Sequence, residues 1–263
     1  MQGCRRRSAI LLNRVRTAVR RTLRHGGVAL LLLLIVAPVS RDTADDRATE
    51  REAMVETIRQ HARTTATVLK AGEIDPAVLQ AMRSVPRHAF VPLDQQPYAY
   101  EDRPLPIGHG QTISQPFIVA LMTDLLDVDA GDRVLEVGTG SGYQAAILAM
   151  LVDQVHTIEI IPELARTAGQ RLEQRFPKVA THVGDGYYGW PEAAPFDGIV
   201  VTAAASTVPP PLVQQLKPGG RMVIPVGSRF AVQHLMLVEK DGNGRVTTRQ
   251  LLPVQFVPLI GQR

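Results

Sequence analysis

Three acidic residues stand where successive strands are expected to end: Glu136, Glu159 and Asp185. Glu136 belongs to Val134-Leu-Glu-Val-Gly-Thr-Gly-Ser-Gly142, a short apolar strand that runs into glycines at alternate positions and then into a helix. Glycine suits such a turn because a side chain would hold a ligand away from the backbone, and because the turn can require positive φ. The glycines Gly138, Gly140 and Gly142 follow a G-x-G-x-G spacing, not the G-x-G-x-x-G of dinucleotide sites. A carboxylate two residues before the first glycine is expected to face the ligand from the strand end. It suits a cationic ligand and would repel a pyrophosphate. Glu159 closes the next strand and can accept hydrogen bonds from both ribose hydroxyls, in nicotinamide sites and other nucleoside sites alike. Asp185, in Val183-Gly-Asp-Gly186, either accepts from the exocyclic amine of an adenine or caps its own turn. The plain alternatives are a surface glutamate beside a structural turn for Glu136 and an ordinary strand-end acid for Glu159. Together the three acids fall on the carboxyl edge of an open sheet, where such sheets bind ligands. S-adenosylmethionine is a nucleoside with a cationic ammonium and sulfonium, and it meets these requirements.

A second polar group lies in Ile107-Gly-His-Gly-Gln-Thr-Ile-Ser-Gln-Pro116, a glycine-loosened loop that ends at a helix start. Gln111, Thr112 and Ser114 offer polar groups there, and a helix N-terminus favours an anion. Plain N-capping by Ser114 ahead of Pro116 is the structural alternative. His109 reads as a loop residue, with no second histidine or acid spaced to form a metal site or a hydrolase triad. The single cysteine, Cys4, excludes an internal disulfide and a cysteine-based metal site.

The elements that must position these residues follow from periodicity. Helical spacing begins at Arg51 with Met54, Val55 and Ile58, and Asp75-Pro76 opens a further helix that ends at Val85-Pro86. A proline-rich stretch from Arg87 to Gly110 has no clear period. Gln115-Pro116 starts a helix with Phe117, Ile118, Leu121, Met122, Leu125 and Leu126 on its apolar side. Beyond Gly131, strands expected at 133–137, 154–159, 180–183, 196–202 and 221–225 alternate with helices. The last of these helices, 210–216, is stopped by Lys217-Pro-Gly-Gly220. That alternation implies a parallel, doubly wound α/β sheet. Strand-like runs at 233–239 and 249–257, joined at Asp241-Gly-Asn-Gly244, add an antiparallel edge hairpin.

The 263 residues are 45% hydrophobic and 21% charged, a globular composition. Eight arginines between Arg5 and Arg24 account for the formal net charge of +4, so the folded part is near neutral and no nucleic-acid partner is inferred. The apolar run Val28–Val36 ends near Pro38, short of the roughly 20 residues a membrane-spanning helix needs. Basic flank plus short apolar run reads as signal-like or anchoring, giving membrane association through residues 1–39, or else as a plain extension or a start placed too far upstream. Residues 40–50 read as a polar linker, and 51–263 as the catalytic domain. Its expected parts are a helical and loop region at 51–130, a cofactor core at 131–227 and a C-terminal hairpin at 228–263.

Six segments then carry a specific resemblance: Leu105–Pro116, Val134–Leu148, Gly184-Asp-Gly186, Phe196-Asp-Gly-Ile-Val-Val-Thr-Ala-Ala204, Leu216-Lys-Pro-Gly-Gly220 and Phe256-Val-Pro-Leu259. In this order they resemble the protein-L-isoaspartate O-methyltransferase family in its bacterial form, from about Arg51 to the C-terminus. The glycine turn is shared by many methyltransferases, whereas Gln-Thr-Ile-Ser-Gln-Pro and Phe-Val-Pro-Leu are more particular. The resemblance implies a Rossmann-like class I fold and S-adenosylmethionine as methyl donor. It also implies esterification of L-isoaspartyl and D-aspartyl carboxylates in damaged proteins by a cytoplasmic monomer. It further implies Ser114 as the active-site serine and Glu136, Gly138, Glu159 and Asp185 as cofactor-binding, beside Gly140, Gly142 and Gly186. Gln111, Thr112, Val257, Pro258 and Leu259 are expected to place the peptide. A small-molecule methyltransferase of the same fold and an inactive, membrane-tethered binding module are the competing readings. Residues 1–50 depart from the family pattern, and an exported enzyme would lack its intracellular methyl donor.

Overall fold

The computed structural model describes residues 47–69, 72–228 and 230–261. The arginine-rich segment, Cys4, the apolar run and residues 40–46 of the expected linker lie outside them. Residues 47–50 are not linker. Helix α1 (Ala48–Thr64) already includes 48–50, and its Met54, Val55, Ile58 and Ala62 are buried along one face. Arg47 fixes its start by donating to the Gln96 carbonyl at 2.7 Å and lying 4.9 Å from the centre of the Tyr100 ring. Helix α2 (Pro76–Ser84) opens as the sequence predicts: Pro76 is the first helical residue and the Asp75 carboxylate accepts the Ala77 N–H at 2.6 Å.

The segment 105–113, expected as loop, forms a two-stranded hairpin of β1 (Leu105–Gly108) and β2 (Gln111–Ile113). Gly108, His109 and Gly110 turn it with φ of 91°, 53° and 71°, a left-handed run that glycines on either side of the histidine make accessible. Strands this short show no alternation in sequence. Helix α3 (Pro116–Leu126) follows, with Phe117, Leu121, Met122, Leu125 and Leu126 buried and Ile118 half-buried.

The remaining elements are β3 (Arg133–Val137), α4 (Tyr143–Leu148), β4 (Gln154–Glu159), α5 (Pro162–Arg175), β5 (Val179–Val183), β6 (Phe196–Val201), α6 (Pro210–Gln215), β7 (Leu216–Val226), β8 (Gln233–Lys240) and β9 (Val246–Val254). They form one seven-stranded sheet in the order β5-β4-β3-β6-β7-β8-β9. The first five in this order pair in parallel, while β8 and β9 add antiparallel. The chain steps outward from β3 to β4 and β5, then returns to β6 on the other flank of β3. The β3/β6 boundary is therefore a topological switch point, where α/β sheets open a crevice. Lys217-Pro-Gly-Gly220, expected to stop a helix ahead of the strand, lies within β7 as an irregularity. Leu216 pairs with Phe196 and Arg221 with Gly198, and Lys217 grips Asp197 at 2.7 and 2.8 Å. Strand β9 ends at Val254, three residues earlier than the pattern implies, which frees 255–261 to run beside the carboxyl edge.

Candidate active site: a crevice and a groove

The glycine turn closes the carboxyl end of β3. Gly138 adopts φ 99°, and a Cβ there would stand 2.5 Å from the Thr202 hydroxyl oxygen. Thr202 follows β6 directly. Its N–H donates to the Val137 carbonyl at 2.9 Å and its hydroxyl to the Gly138 carbonyl at 2.7 Å, so the two strands are stitched at the switch point. Gly186 is glycine for a similar reason, since any Cβ would collide with Val137. Between these backbones lies a narrow crevice of about 50 Å³, whose walls include Gly138, Gly140, Glu159, Gly186 and Thr202.

Glu159 is 6% exposed and lies in that wall. One carboxylate oxygen accepts the Gly140 N–H at 2.8 Å and the other the Ile161 N–H at 3.0 Å. Each oxygen keeps a further lone pair, so the residue can hold the glycine turn and a pair of hydroxyls together. Glu136 is placed differently from expectation. It does not line the crevice but is fully buried in β3, beneath the turn. Strand alternation explains this: Val137 takes the crevice side and its neighbour the other face. The Glu136 carboxylate accepts from Thr157 at 2.6 Å, and Thr139 joins Thr157 at 2.6 Å, which props the turn from below. Its second oxygen has no partner among the described residues. Burial pushes its pKa up to about 8, against the opposing Thr157 hydrogen bond.

Asp185 caps its own turn, accepting the Tyr187 N–H at 3.0 Å, and is not among the crevice-lining residues. Gly142 also lies outside the crevice. Its φ of 87° starts α4, and a Cβ there would stand 3.1 Å from the Leu172 side chain of α5. Of the expected cofactor positions, the crevice therefore gathers Gly138, Gly140, Glu159 and Gly186.

A groove of about 900 Å³ adjoins the crevice. Ser114, Thr112, Gln115, Phe117, Thr202 and Phe256 lie in its walls. The Ser114 hydroxyl makes no hydrogen bond to another described residue, and Gln115, not Ser114, occupies the N-cap position of α3 without a side-chain cap bond. The capping is done from elsewhere: Asp102 accepts the Phe117 N–H at 2.8 Å and the Gln115 side-chain amide at 2.9 Å. Arg87, fully buried, fixes the backbone at the serine by donating to the Ser114 carbonyl at 2.7 Å and the Ala99 carbonyl at 2.9 Å. Burial lowers the Arg87 pKa to about 10, partly offset by Tyr143, whose ring centre lies 5.0 Å away. Gln111 lines the crevice, whereas Thr112 lines both hollows.

The C-terminal segment forms the facing wall. Ala204 donates to the Val257 carbonyl and accepts from the Leu259 N–H, both at 2.8 Å, while Gln233 exchanges hydrogen bonds with the Phe256 backbone at 2.6 and 3.1 Å. Val257 lines both hollows, whereas Pro258 and Leu259, expected to touch the peptide, line the crevice. A hollow of similar size lies at the amino end of the sheet, where Arg221 pairs with Asp127 and Glu239 at 3.1 and 3.3 Å; it shares no lining residue with the crevice or the groove. Thr202, Asp102, Arg87 and His61, another groove residue, carried no motif signal, apart from Thr202 lying within the resembling 196–204 segment.

The family model for protein-L-isoaspartate(D-aspartate) O-methyltransferase matches residues 53–263. The protein-L-isoaspartate O-methyltransferase 1 of Cupriavidus necator is 59% identical over 237 residues, 89% of this chain and 92% of that one. A protein-L-isoaspartate O-methyltransferase 2 of Polaromonas is 61% identical over 211 residues, 80% of this chain and all of that one. A solved protein-L-isoaspartate O-methyltransferase superposes with a TM-score of 0.69 at 29% identity, covering 80% of this chain and 66% of the other. A Plasmodium falciparum structure described as a beta-aspartate methyltransferase, holding S-adenosyl-L-homocysteine, shares the fold with a TM-score of 0.64 at 24% identity over 80% of this chain and 98% of its own. On the family match, the identity of these relatives and the share of each chain they cover, this chain belongs to the protein-L-isoaspartate(D-aspartate) O-methyltransferase family.

Proposed function

We propose that the chain transfers the methyl group of S-adenosylmethionine to the free carboxylate of L-isoaspartyl and D-aspartyl residues in damaged proteins, at the junction of crevice and groove. One observation carries the reading: Thr112, Thr202 and Val257 line both hollows, so a nucleoside in one and a polypeptide in the other meet at a shared wall. The crevice suits the donor by chemistry. Glycine backbones allow close approach, and the Glu159 carboxylate has lone pairs to spare for a ribose.

The donor supplies an electrophilic methyl carbon when bound. The substrate carboxylate has an ordinary pKa near ~3.9 and is ionised at neutral pH, so no general base is required. A carboxylate oxygen bonds to the methyl carbon as the carbon–sulfur bond breaks; the electron pair stays on sulfur and no proton moves. The protein's work is alignment and exclusion of water, which can lower the barrier by roughly 7–11 kcal/mol. In this reading Ser114 donates its free hydroxyl to the substrate carboxylate, and Arg87 holds the backbone from which it projects. The family resemblance implies that the methyl ester then collapses to a succinimide with loss of methanol, which lets aspartate re-form.

A cytoplasmic setting follows from the intracellular origin of the donor. Among the described residues no helix is long and apolar enough to cross a membrane. An anchor at 1–39 would be compatible with a catalytic domain on the cytoplasmic side, and the domain is proposed to act as a monomer. The test is a matched peptide pair, one isoaspartyl and one aspartyl, incubated with methyl-labelled donor. Base-labile label in the isoaspartyl peptide alone is expected; label in neither peptide refutes the assignment.

A further inference from the structure

The groove contains a side chain that the reading above does not use. His61 lies in the last turn of α1, with its side chain 46% exposed and in the groove wall that also holds Ser114. Its Nδ1 is 2.7 Å from an Asp102 carboxylate oxygen, and Asp102 is 7% exposed. A carboxylate only accepts, so Nδ1 carries the proton and Nε2 is the nitrogen left for the groove. Nε2 has no hydrogen-bond partner among the described residues. The ring meets the Phe117 ring edge-on, 5.3 Å between centres at 81°, and that contact with the Asp102 bond fixes its orientation.

The rest of the groove sharpens the point. Its other lining side chains among the described residues are apolar, hydroxyl or amide groups, so His61 is the one titratable side chain among those. Asp102 stands behind it, Arg63 follows two residues later on the same helix, α3 presents Phe117, and the 252–257 wall has no charged residue. An anionic substrate entering such a groove loses hydration and meets no lysine or arginine among the described residues of the walls, a costly transfer unless a charge compensates it.

We infer that His61 is a substrate-binding residue whose imidazolium, oriented by Asp102, draws the isoaspartyl carboxylate into the groove beside Ser114. This rests on the isoaspartyl reading and adds a division of labour to it: Ser114 orients an oxygen, and His61 supplies the charge that brings it in. The attraction acts on the carboxylate and disappears with the neutral methyl ester. It therefore favours capture of substrate and release of product, and it acts about equally on bound substrate and on the transfer step, which leaves kcat unchanged.

The test is steady-state kinetics of the full chain with saturating donor and an isoaspartyl peptide, comparing wild type with His61→Gln, His61→Lys and His61→Glu. The assay is run at about pH 6. KM for the peptide is expected to rise about five- to tenfold in His61→Gln, further in His61→Glu, and to stay within about twofold in His61→Lys, with kcat and donor affinity nearly constant. A wild-type KM in His61→Gln, or a His61→Lys variant as impaired as His61→Gln, overturns the assignment while leaving the methyltransferase reading standing. Wild-type enzyme that leaves the peptide unmethylated overturns both.

Discussion

At the scale of single residues, the freedom of the Ser114 hydroxyl separates catalysis from stability. Asp102 already caps α3, so Ser114→Ala should leave the melting temperature nearly unchanged. If the hydroxyl orients the substrate, turnover should fall by one to two orders of magnitude, the equivalent of roughly 1.5–3 kcal/mol for a donor to a charged group. Ser114→Thr should lose less, because a hydroxyl survives; kcat with an isoaspartyl peptide beside a melting curve checks both. Glu136 makes a different prediction. Its pKa is raised from the ordinary 4.5 to about 8 in the folded chain, so the native state holds a proton that the unfolded chain releases. That contribution is complete below about pH 4.5 and is lost as pH rises to about 8, with a slope of at most about 1.4 kcal/mol per pH unit. Urea denaturation across this window should show the decline, and Glu136→Gln should flatten it; identical slopes would mean the buried carboxyl titrates normally. The strand-end acids were legible because topology confines ligand sites to one sheet edge. The side to which each acid turns was not, since one position along a strand reverses the face. His61 and Asp102 are far apart in sequence and meet because α1 packs against α3, whose start Asp102 caps.

At the scale of elements, Asp102 is a joint. A single carboxylate holds the end of α1 through His61, the serine loop through Gln115 and the start of α3 through Phe117. Asp102→Ala should cost about 1 kcal/mol for the lost cap, and more to the extent that the other two contacts act together. It should also raise KM for the peptide, because His61 loses its orientation. Chemical denaturation and peptide kinetics on the same variant check the pair; unchanged stability would show that α3 starts without this cap. Helices with marked ends, such as α2 with Asp75-Pro76, were readable to the residue. The hairpin of β1 and β2 was not, because three or four residues per strand carry no period. The irregularity in β7 was hidden for another reason: Lys-Pro-Gly-Gly looks like a stop, and only pairing with Phe196 and Gly198 keeps it in the sheet.

For the whole molecule, the parallel sheet followed from the alternation of strand and helix, and the antiparallel edge from the hairpin turn at Asp241-Gly-Asn-Gly244; neither needs knowledge of contacts. The start of the domain did not, because Arg47 acts through partners near residue 100. A chain beginning at Asp45 should fold and methylate as the full-length protein does. One beginning at Arg51 loses the first turn of α1 and the Arg47 contacts and should melt several degrees lower, as a loss of about 1–2 kcal/mol implies. Equal melting temperatures would show that α1 is held by its buried face alone. The wall built by 257–260 has a further consequence in time. A crevice of about 50 Å³ is far smaller than the ~300 Å³ of ordinary ligand pockets, and one of its sides hangs on two hydrogen bonds to Ala204. In the proposed reading, donor and spent product enter and leave as 257–260 shift away from Ala204. Where that shift is slow, it limits turnover. Substitutions that loosen 257–260 should shorten the residence time of the spent nucleoside, and a catalytic cycle limited by its departure would run faster while holding its donor less tightly.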